Sequence, residues 1–176
     1  MMFLNKIKIF LLISICLIFF FLTYNDVKSE EVKIISGIAK VTDGDTIKIN
    51  KKRIRLMGID APEKKQMCKQ IWLSISFISF EREYPCGQIS TDRLKTKVGD
   101  KLVICNYTNK DRYKRYIAEC FLNKTNINAW MVRNGYAVAY TRYSKKYVAQ
   151  ENIAKKEKSG LWAGTFEMPW DYRKKN

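Results

Sequence analysis

The sequence predicts a mainly-β α+β domain, a five-stranded Greek-key β-barrel of the OB type with three α-helices. Three observations point there. Short runs of alternating apolar and polar residues recur, with turn residues between them. Their order is three strands, a helix, two strands and two helices. The chain has 176 residues, 47% of them hydrophobic and 13% aromatic, which suits one real core with little left for a second domain.

Val32 to Val41 is rich in Val and Ile and reads as the first strand. Asp43-Gly44-Asp45 is a turn signal. Thr46 to Ile49 and Arg53 to Met57 alternate in polarity across a turn at Asn50–Lys52, so they form a hairpin with Arg53 and Arg55 on one face. Gly58 to Glu63 then leaves the sheet. Residues 64–87 hold an apolar run, Ile71 to Phe80, between Cys68 and Cys86, and are expected as a disulfide-bounded loop with its own small cluster. Gln88 to Val98 reads as a helix, capped near Ser90 or Thr91 and stopped by Gly99-Asp100. Lys101–Tyr107 and Tyr113–Leu122 are two further strands. Asn126–Asn134 has helical spacing of Ile127, Trp130 and Met131, and Tyr143–Lys158 is a basic helix ending at Gly160. Leu161-Trp162 and Pro169-Trp170 anchor the C-terminal segment. No internal repeat is present.

The first 29 residues read differently. Lys6 and Lys8 precede an apolar run, Ile9 to Leu22, that is shorter than the ~18–20 residues needed to cross a bilayer. Val27 and Ser29 sit where small residues precede a signal-peptidase cut. Residues 1–29 are therefore expected to be a signal peptide and residues 30–176 an exported domain, periplasmic or secreted. The alternative is a membrane anchor through residues 9–22. Cys16 is a poor lipoprotein cysteine, because Ile15 before it is too large. The whole chain carries a net +16; loss of Lys6, Lys8, Lys28 and Asp26 leaves 30 basic and 16 acidic residues, net +14.

Export makes disulfides the default for Cys68, Cys86, Cys105 and Cys120. Four cysteines allow three pairings. Cys68–Cys86 and Cys105–Cys120 are preferred, since each pair brackets a local loop or hairpin. A metal site is disfavoured by the lack of any C-x-x-C spacing.

Histidine is absent, which removes Ser-His-Asp and Cys-His relays, imidazole metal ligands and a histidine base. Three clusters remain for chemistry: Asp43-Gly44-Asp45-Thr46, Arg55 to Glu63, and Asp111-Arg112-Tyr113-Lys114-Arg115. Taken singly, each has an ordinary structural reading: a turn, a solvated strand face, a hairpin loop. Together they suit phosphodiester hydrolysis. Asp45, Asp60 and Glu63 at one barrel mouth would offer oxygens to a hard cation; calcium tolerates such irregular shells. An arginine on the adjoining strand and another on the second hairpin could clamp a phosphate. The remaining carboxylate could orient or deprotonate water.

These motifs resemble the staphylococcal nuclease (thermonuclease) family. Val41 to Ile47 and Arg53 to Glu63 are similar to its first two signatures, Asp111 to Arg115 to its third, and Asn128 to Ala137 to its second helix. The resemblance spans residues 32 to 172. It implies a calcium-dependent endonuclease acting on DNA and RNA, with one Ca2+ per chain. Asp45, Asp60 and the backbone carbonyl of Ala61 would be the metal ligands. Arg55 and Arg115 would clamp the phosphate, and Glu63 would be the candidate general base. Asp43 would be a nearby carboxylate that does not itself ligate. Water would attack phosphorus and release the 5′ oxygen, leaving a 3′-phosphate. A monomer with no obligate protein partner is expected. Two departures stand out. Ala61 replaces a threonine of the well-known enzyme, and Lys114 replaces a glycine, so that Lys114 must either take a positive φ or reshape the turn. The alternative reading is a non-catalytic OB-fold nucleic-acid-binding module stacking bases on Tyr107, Tyr113, Tyr116 and Tyr140. A third is an envelope protein whose basic face meets anionic lipid.

Overall fold

The computed structural model describes residues 31–175, and Ser14 alone among the first thirty. The expected signal peptide and the alternative anchor lie outside the described residues. Among the described residues no helix is long and apolar enough to cross a membrane. The chain from Val32 onward forms one compact unit.

Its main sheet is built from β1 (Lys33–Ile38), β2 (Lys40–Asp43), β3 (Thr46–Ile49), β4 (Lys52–Leu56), β8 (Leu102–Lys110) and β9 (Tyr116–Leu122). The sheet order is β1-β8-β9-β4-β3-β2. Its two ends, β1 and β2, are consecutive in the chain and separated only by Ala39. They act as one bent strand whose halves pair at opposite ends of the path, so the sheet curls round on itself and five strands surround the core. The β4–β9 pairing is parallel, with Arg55 opposite Ile117; the other main pairings are antiparallel. Thus the mainly-β OB-type architecture stands.

The interior follows from the alternation. Ile47, Ile49, Ile54, Leu56, Val103 and Ala118 are buried from the strands, and Leu94, Ile127, Met131 and Val132 cover them from helices. Full burial of such side chains is worth about 1.5–3 kcal/mol each. Cys105 and Cys120 face each other in the β8–β9 register and are joined by a disulfide in this core. A second disulfide joins Cys68 to Cys86 in a smaller cluster with Val138 and Leu161.

Three elements differ from expectation. Residues 64–87 are not a loop around its own cluster. They form a hairpin, β6 (Cys68–Ile75) and β7 (Ile78–Tyr84), whose large apolar side chains are exposed. β-branched and aromatic residues on both arms favour pairing, the disulfide closes the base, and the tip is left exposed. The helix after it, α1 (Cys86–Val98), begins at Pro85 rather than near Ser90 or Thr91. Those two side chains lie within the helix instead. Ser90 Oγ donates to the Tyr136 carbonyl at 2.7 Å and Thr91 Oγ to Gly87 at 2.9 Å. The remaining helices are α2 (Ile127–Arg133), a shortened α3 (Val148–Lys156), and an unexpected fourth, α4 (Pro169–Lys175). Proline at the first helical position explains how α4 starts.

Short strands complete the frame: β5 (Ile59–Asp60), β10 (Thr125–Asn126), β11 (Val138–Ala139) and β12 (Gly164–Thr165). β5 pairs with β11, and β12 with β6. Asn128 holds this frame to the barrel. It is fully buried in α2; its amide Nδ2 donates to the Met57 and Ala118 carbonyls at 3.0 and 3.1 Å, and its Oδ1 accepts from Cys120 N–H at 3.0 Å.

An Asn128→Ala variant removes three hydrogen bonds and leaves the buried Cys120 N–H without its side-chain partner. Its unfolding free energy is expected to fall by about 3 kcal/mol, since one unsatisfied buried group costs ~1–3 kcal/mol. Urea denaturation checks this; an unchanged midpoint would contradict it.

Candidate active site

The chemistry-bearing residues cluster where β2, β4 and β5 end and β3 begins. Asp43 closes β2 and accepts a hydrogen bond from the Asp45 N–H at 3.1 Å, which fixes the turn. Gly44 is needed there, because a Cβ would lie 2.2 Å from Ser90 Oγ and 2.6 Å from the Ala61 methyl. That close packing turns the Asp45 side chain inward. Asp45 is 6% exposed. Its Oδ1 accepts from Thr46 Oγ1 and its Oδ2 from the Ala61 N–H at 2.9 Å.

Arg55 comes from β4, the next strand. One terminal nitrogen meets Asp45 Oδ1; the other donates to Asp60 Oδ1 at 2.7 Å and to the Ile59 carbonyl at 3.3 Å. A single guanidinium therefore bridges two buried carboxylates. Asp60, in β5, is fully buried. Burial lowers the Arg55 pKa, Asp60 opposes that, and the charge of Arg115 adds to it. Burial likewise pushes the Asp43 carboxyl up, against the pull of Thr46, Arg55 and Arg115.

Glu63 lies just beyond β5 and keeps 40% of its side chain exposed. Its backbone is tightly held. Glu63 N–H donates to Gln66 Oε1 at 3.1 Å, and a Cβ on Gly87 would collide with the Glu63 carbonyl. The glycine that opens α1 thus allows the Glu63 segment to lie against the helix backbone.

Arg115 precedes β9. The parallel register puts it on the same face as Arg53 and Arg55. Its Nε–H donates to Asp111 Oδ2 at 2.7 Å, which leaves the two terminal nitrogens for other partners. Asp111 also accepts from the N–H groups of Tyr113 and Arg115, both at 2.9 Å. Lys114 takes φ +60°. The turn is therefore kept, at a strain of about 1–2 kcal/mol for a non-glycine residue.

The residues proposed for stacking are placed otherwise. Tyr107 and Tyr116 pack edge to face against each other beside the core, and Tyr140 stacks on Trp170 with planes 4° apart. Tyr113 alone of the four is largely exposed, at 57%.

Two site residues were not visible in the sequence. Gln66 is fully buried and links Glu63 to the Glu167 carbonyl, to which its Nε2 donates at 2.7 Å. Arg173, in α4, donates through Nη2 to Asp60 Oδ2 at 2.7 Å, and through Nη1 to Asp60 Oδ1 at 3.1 Å and Glu63 Oε1 at 2.8 Å. Burial works against this charge, yet Asp60 and Glu63 outweigh it and hold Arg173 above its ordinary pKa. In sequence Arg173 is one cation of a basic run, 113 residues from Asp60; only the docking of α4 brings them together.

Among the described residues no three carboxylate, Cys or His side chains converge as a ready-made metal cage. The donor set nevertheless fits one hard cation. Asp45 and Asp60 lie within the span of one guanidinium, which also meets the Ile59 carbonyl, and their donor atoms are oxygens. Two carboxylates with carbonyls and water are a low-protein-ligand site of the kind calcium or magnesium accepts.

Comparison with known proteins agrees with this arrangement. Residues 53–164 match the family described as staphylococcal nuclease homologue, a stretch that includes Arg55, Asp60, Glu63 and Arg115 and stops short of Asp45 and Arg173. A protein of Escherichia coli O157:H7 named an uncharacterized endonuclease is 35% identical over 78% of this chain and 84% of its own. One of the same name from Haemophilus influenzae is 38% identical over 72% of this chain and 65% of its own. The staphylococcal-like nuclease CAN1 of Arabidopsis thaliana is 30% identical over 80% of this chain and 39% of its own. The match over more than half of the residues, on a curled barrel that gathers the motif side chains at one mouth, makes this chain a member of the staphylococcal nuclease homologue family.

Proposed function

We propose that this chain is an exported, calcium-dependent nuclease that hydrolyses phosphodiester bonds of DNA and RNA. The observation that carries the reading is the Arg55 bridge between buried Asp45 and Asp60, with Glu63 on the adjoining segment. Relatives named as nucleases support the reaction class. A bare binding module would gain nothing from burying carboxylates that repel phosphate.

Asp45, Asp60 and the Ala61 carbonyl would hold the cation, which supplies positive charge beside the scissile phosphate. Arg55 and Arg115 donate to its non-bridging oxygens, where charge builds as water adds to phosphorus. Glu63, open to solvent, accepts the proton of that water. The 5′ oxygen leaves with the P–O bonding pair and takes a proton from solvent, and a 3′-phosphate remains. Asp43 keeps the Asp45 turn in place. Two disulfides suit an oxidising compartment and so favour export.

Glu63→Gln keeps the shape but cannot take a proton. It is expected to lower kcat by about 10²–10⁴-fold with little change in KM. Steady-state cleavage of a fluorescent oligonucleotide checks this; equal loss of binding and turnover would remove Glu63 from the base role. Arg115→Ala is expected to lower kcat by about 10²–10³-fold. A near-silent result in the same assay would mean that the Lys114 turn aims Arg115 away from the phosphate.

A further inference from the structure

The β6–β7 hairpin carries none of the candidate catalytic or metal-binding residues. From Ile71 to Phe80 it carries no charge. Trp72, Ile75 and Ile78 are 58–62% exposed, Leu73 and Phe80 about 40%, and Phe77 at the tip is fully exposed. The Leu73↔Phe80 and Ile75↔Ile78 pairs put four of these on one face. Trp72 and the tip Phe77 extend the apolar surface beyond that face. Among the described residues β6 pairs with β12 only at Lys69 and Gln70, so the tip projects beyond its support. An apolar surface of this size on a soluble face marks a contact site.

We propose that this tip inserts into the interface of an anionic lipid bilayer. Charge selects this occupant. The chain is strongly basic, so a second copy is repelled and an anionic surface is attracted. A nucleic acid would find no lysine or arginine between residues 71 and 80 to neutralise its phosphates. The tip is a convex finger, not a groove for a partner helix. Lys64, Lys65, Lys69 and Arg82 stand at its base, with Glu81 and Glu83 among them. A bilayer surrounds such a finger with hydrocarbon and leaves its base in the headgroups, where tryptophan is favoured.

Residues 1–31 contain no tryptophan, so Trp72 reports the hairpin whatever the N-terminal segment does. The full chain is mixed with vesicles of phosphatidylglycerol and brominated phosphatidylcholine. Bromolipid quenching is expected in wild type and largely lost in Trp72→Phe. It is also expected to be lost in the double variant Phe77→Ser, Ile78→Ser, whose cleavage of free DNA is unchanged. Quenching that survives Trp72→Phe would overturn the proposal. So would a dimer, seen by light scattering, that the double variant dissolves.

A second observation stands independently. The Arg173 guanidinium covers Asp60 Oδ2 and Glu63 Oε1 together. The first belongs to a proposed ligand and the second to the proposed base. Arg173 is 36% exposed and sits at the solvent end of α4, which is anchored one turn earlier by Trp170 on Tyr140 and by buried Pro169. It can leave without undocking the helix. Resting on the calcium reading above, we infer that Arg173 is a built-in competitor for the divalent cation. It balances Asp60 until the ion enters, and its departure frees Glu63 for water.

Calcium titration by isothermal calorimetry tests this on wild type and Arg173→Gln. The variant is expected to bind calcium about tenfold more tightly, within the usual range of coupling between two ligands. In EGTA its melting temperature falls, and calcium raises it by more than in wild type. A purely structural arginine would lower stability without tightening the ion. Wild-type binding with equal or weaker affinity in the variant overturns the competitor role alone. Binding by neither protein sinks the calcium reading as well.

Discussion

The Arg55 guanidinium, buried between Asp45 and Asp60, is the interaction on which the site depends. Burying two carboxylates at 6% and 0% exposure in a barrel wall is costly without a cation beside them. Removing one partner of a buried pair of this kind costs about 3–5 kcal/mol. That penalty ties three strands to one geometry: the β2–β3 turn that carries Asp45, β4 that carries Arg55, and β5 that carries Asp60. The arrangement is weak evidence for stability, since apolar residues could fill the same space. It makes sense as a place where charge is held ready.

The barrel supplies the precision. Because β1 and β2 are one strand bent at Ala39, the sheet closes and the β2–β3 turn cannot drift from β4. Gly44 and Gly87 allow backbones to approach where a methyl group would not fit. Asn128 fastens the Met57 end of β4 to α2 and β9. Glu63 is the exception, with a tightly held backbone and a partly exposed side chain paired with Arg173. Arg173 completes the balance. Three carboxylates, Asp45, Asp60 and Glu63, face two arginines, Arg55 and Arg173.

Much of this was legible in the sequence because it is local. Asp45, Arg55, Asp60 and Glu63 fall within 19 consecutive positions, and strand alternation with one turn already puts them at one mouth. The disulfide partners were legible for the same reason, since each pair closes a short segment. Lys114 was legible as a strained position, and its φ of +60° is that strain. Long-range partners were not. Nothing in the run Arg173-Lys174-Lys175 says which cation turns inward, and Gln66 looks like any loop glutamine. The 71–80 run is apolar yet exposed, because pattern alone does not say whether a neighbour exists to cover it. Tyr107, Tyr116 and Tyr140, which would stack bases only in the alternative binding-module reading, each have an aromatic partner within the fold.

The most direct test of the central claim is cleavage of plasmid and single-stranded DNA by the oxidised protein, with calcium and then with EGTA. The account predicts loss of both substrates with calcium and none with EGTA. Tight, salt-sensitive DNA binding in both buffers without cleavage would contradict it, and would mean that the Asp45–Arg55–Asp60 cluster holds the barrel together without doing chemistry.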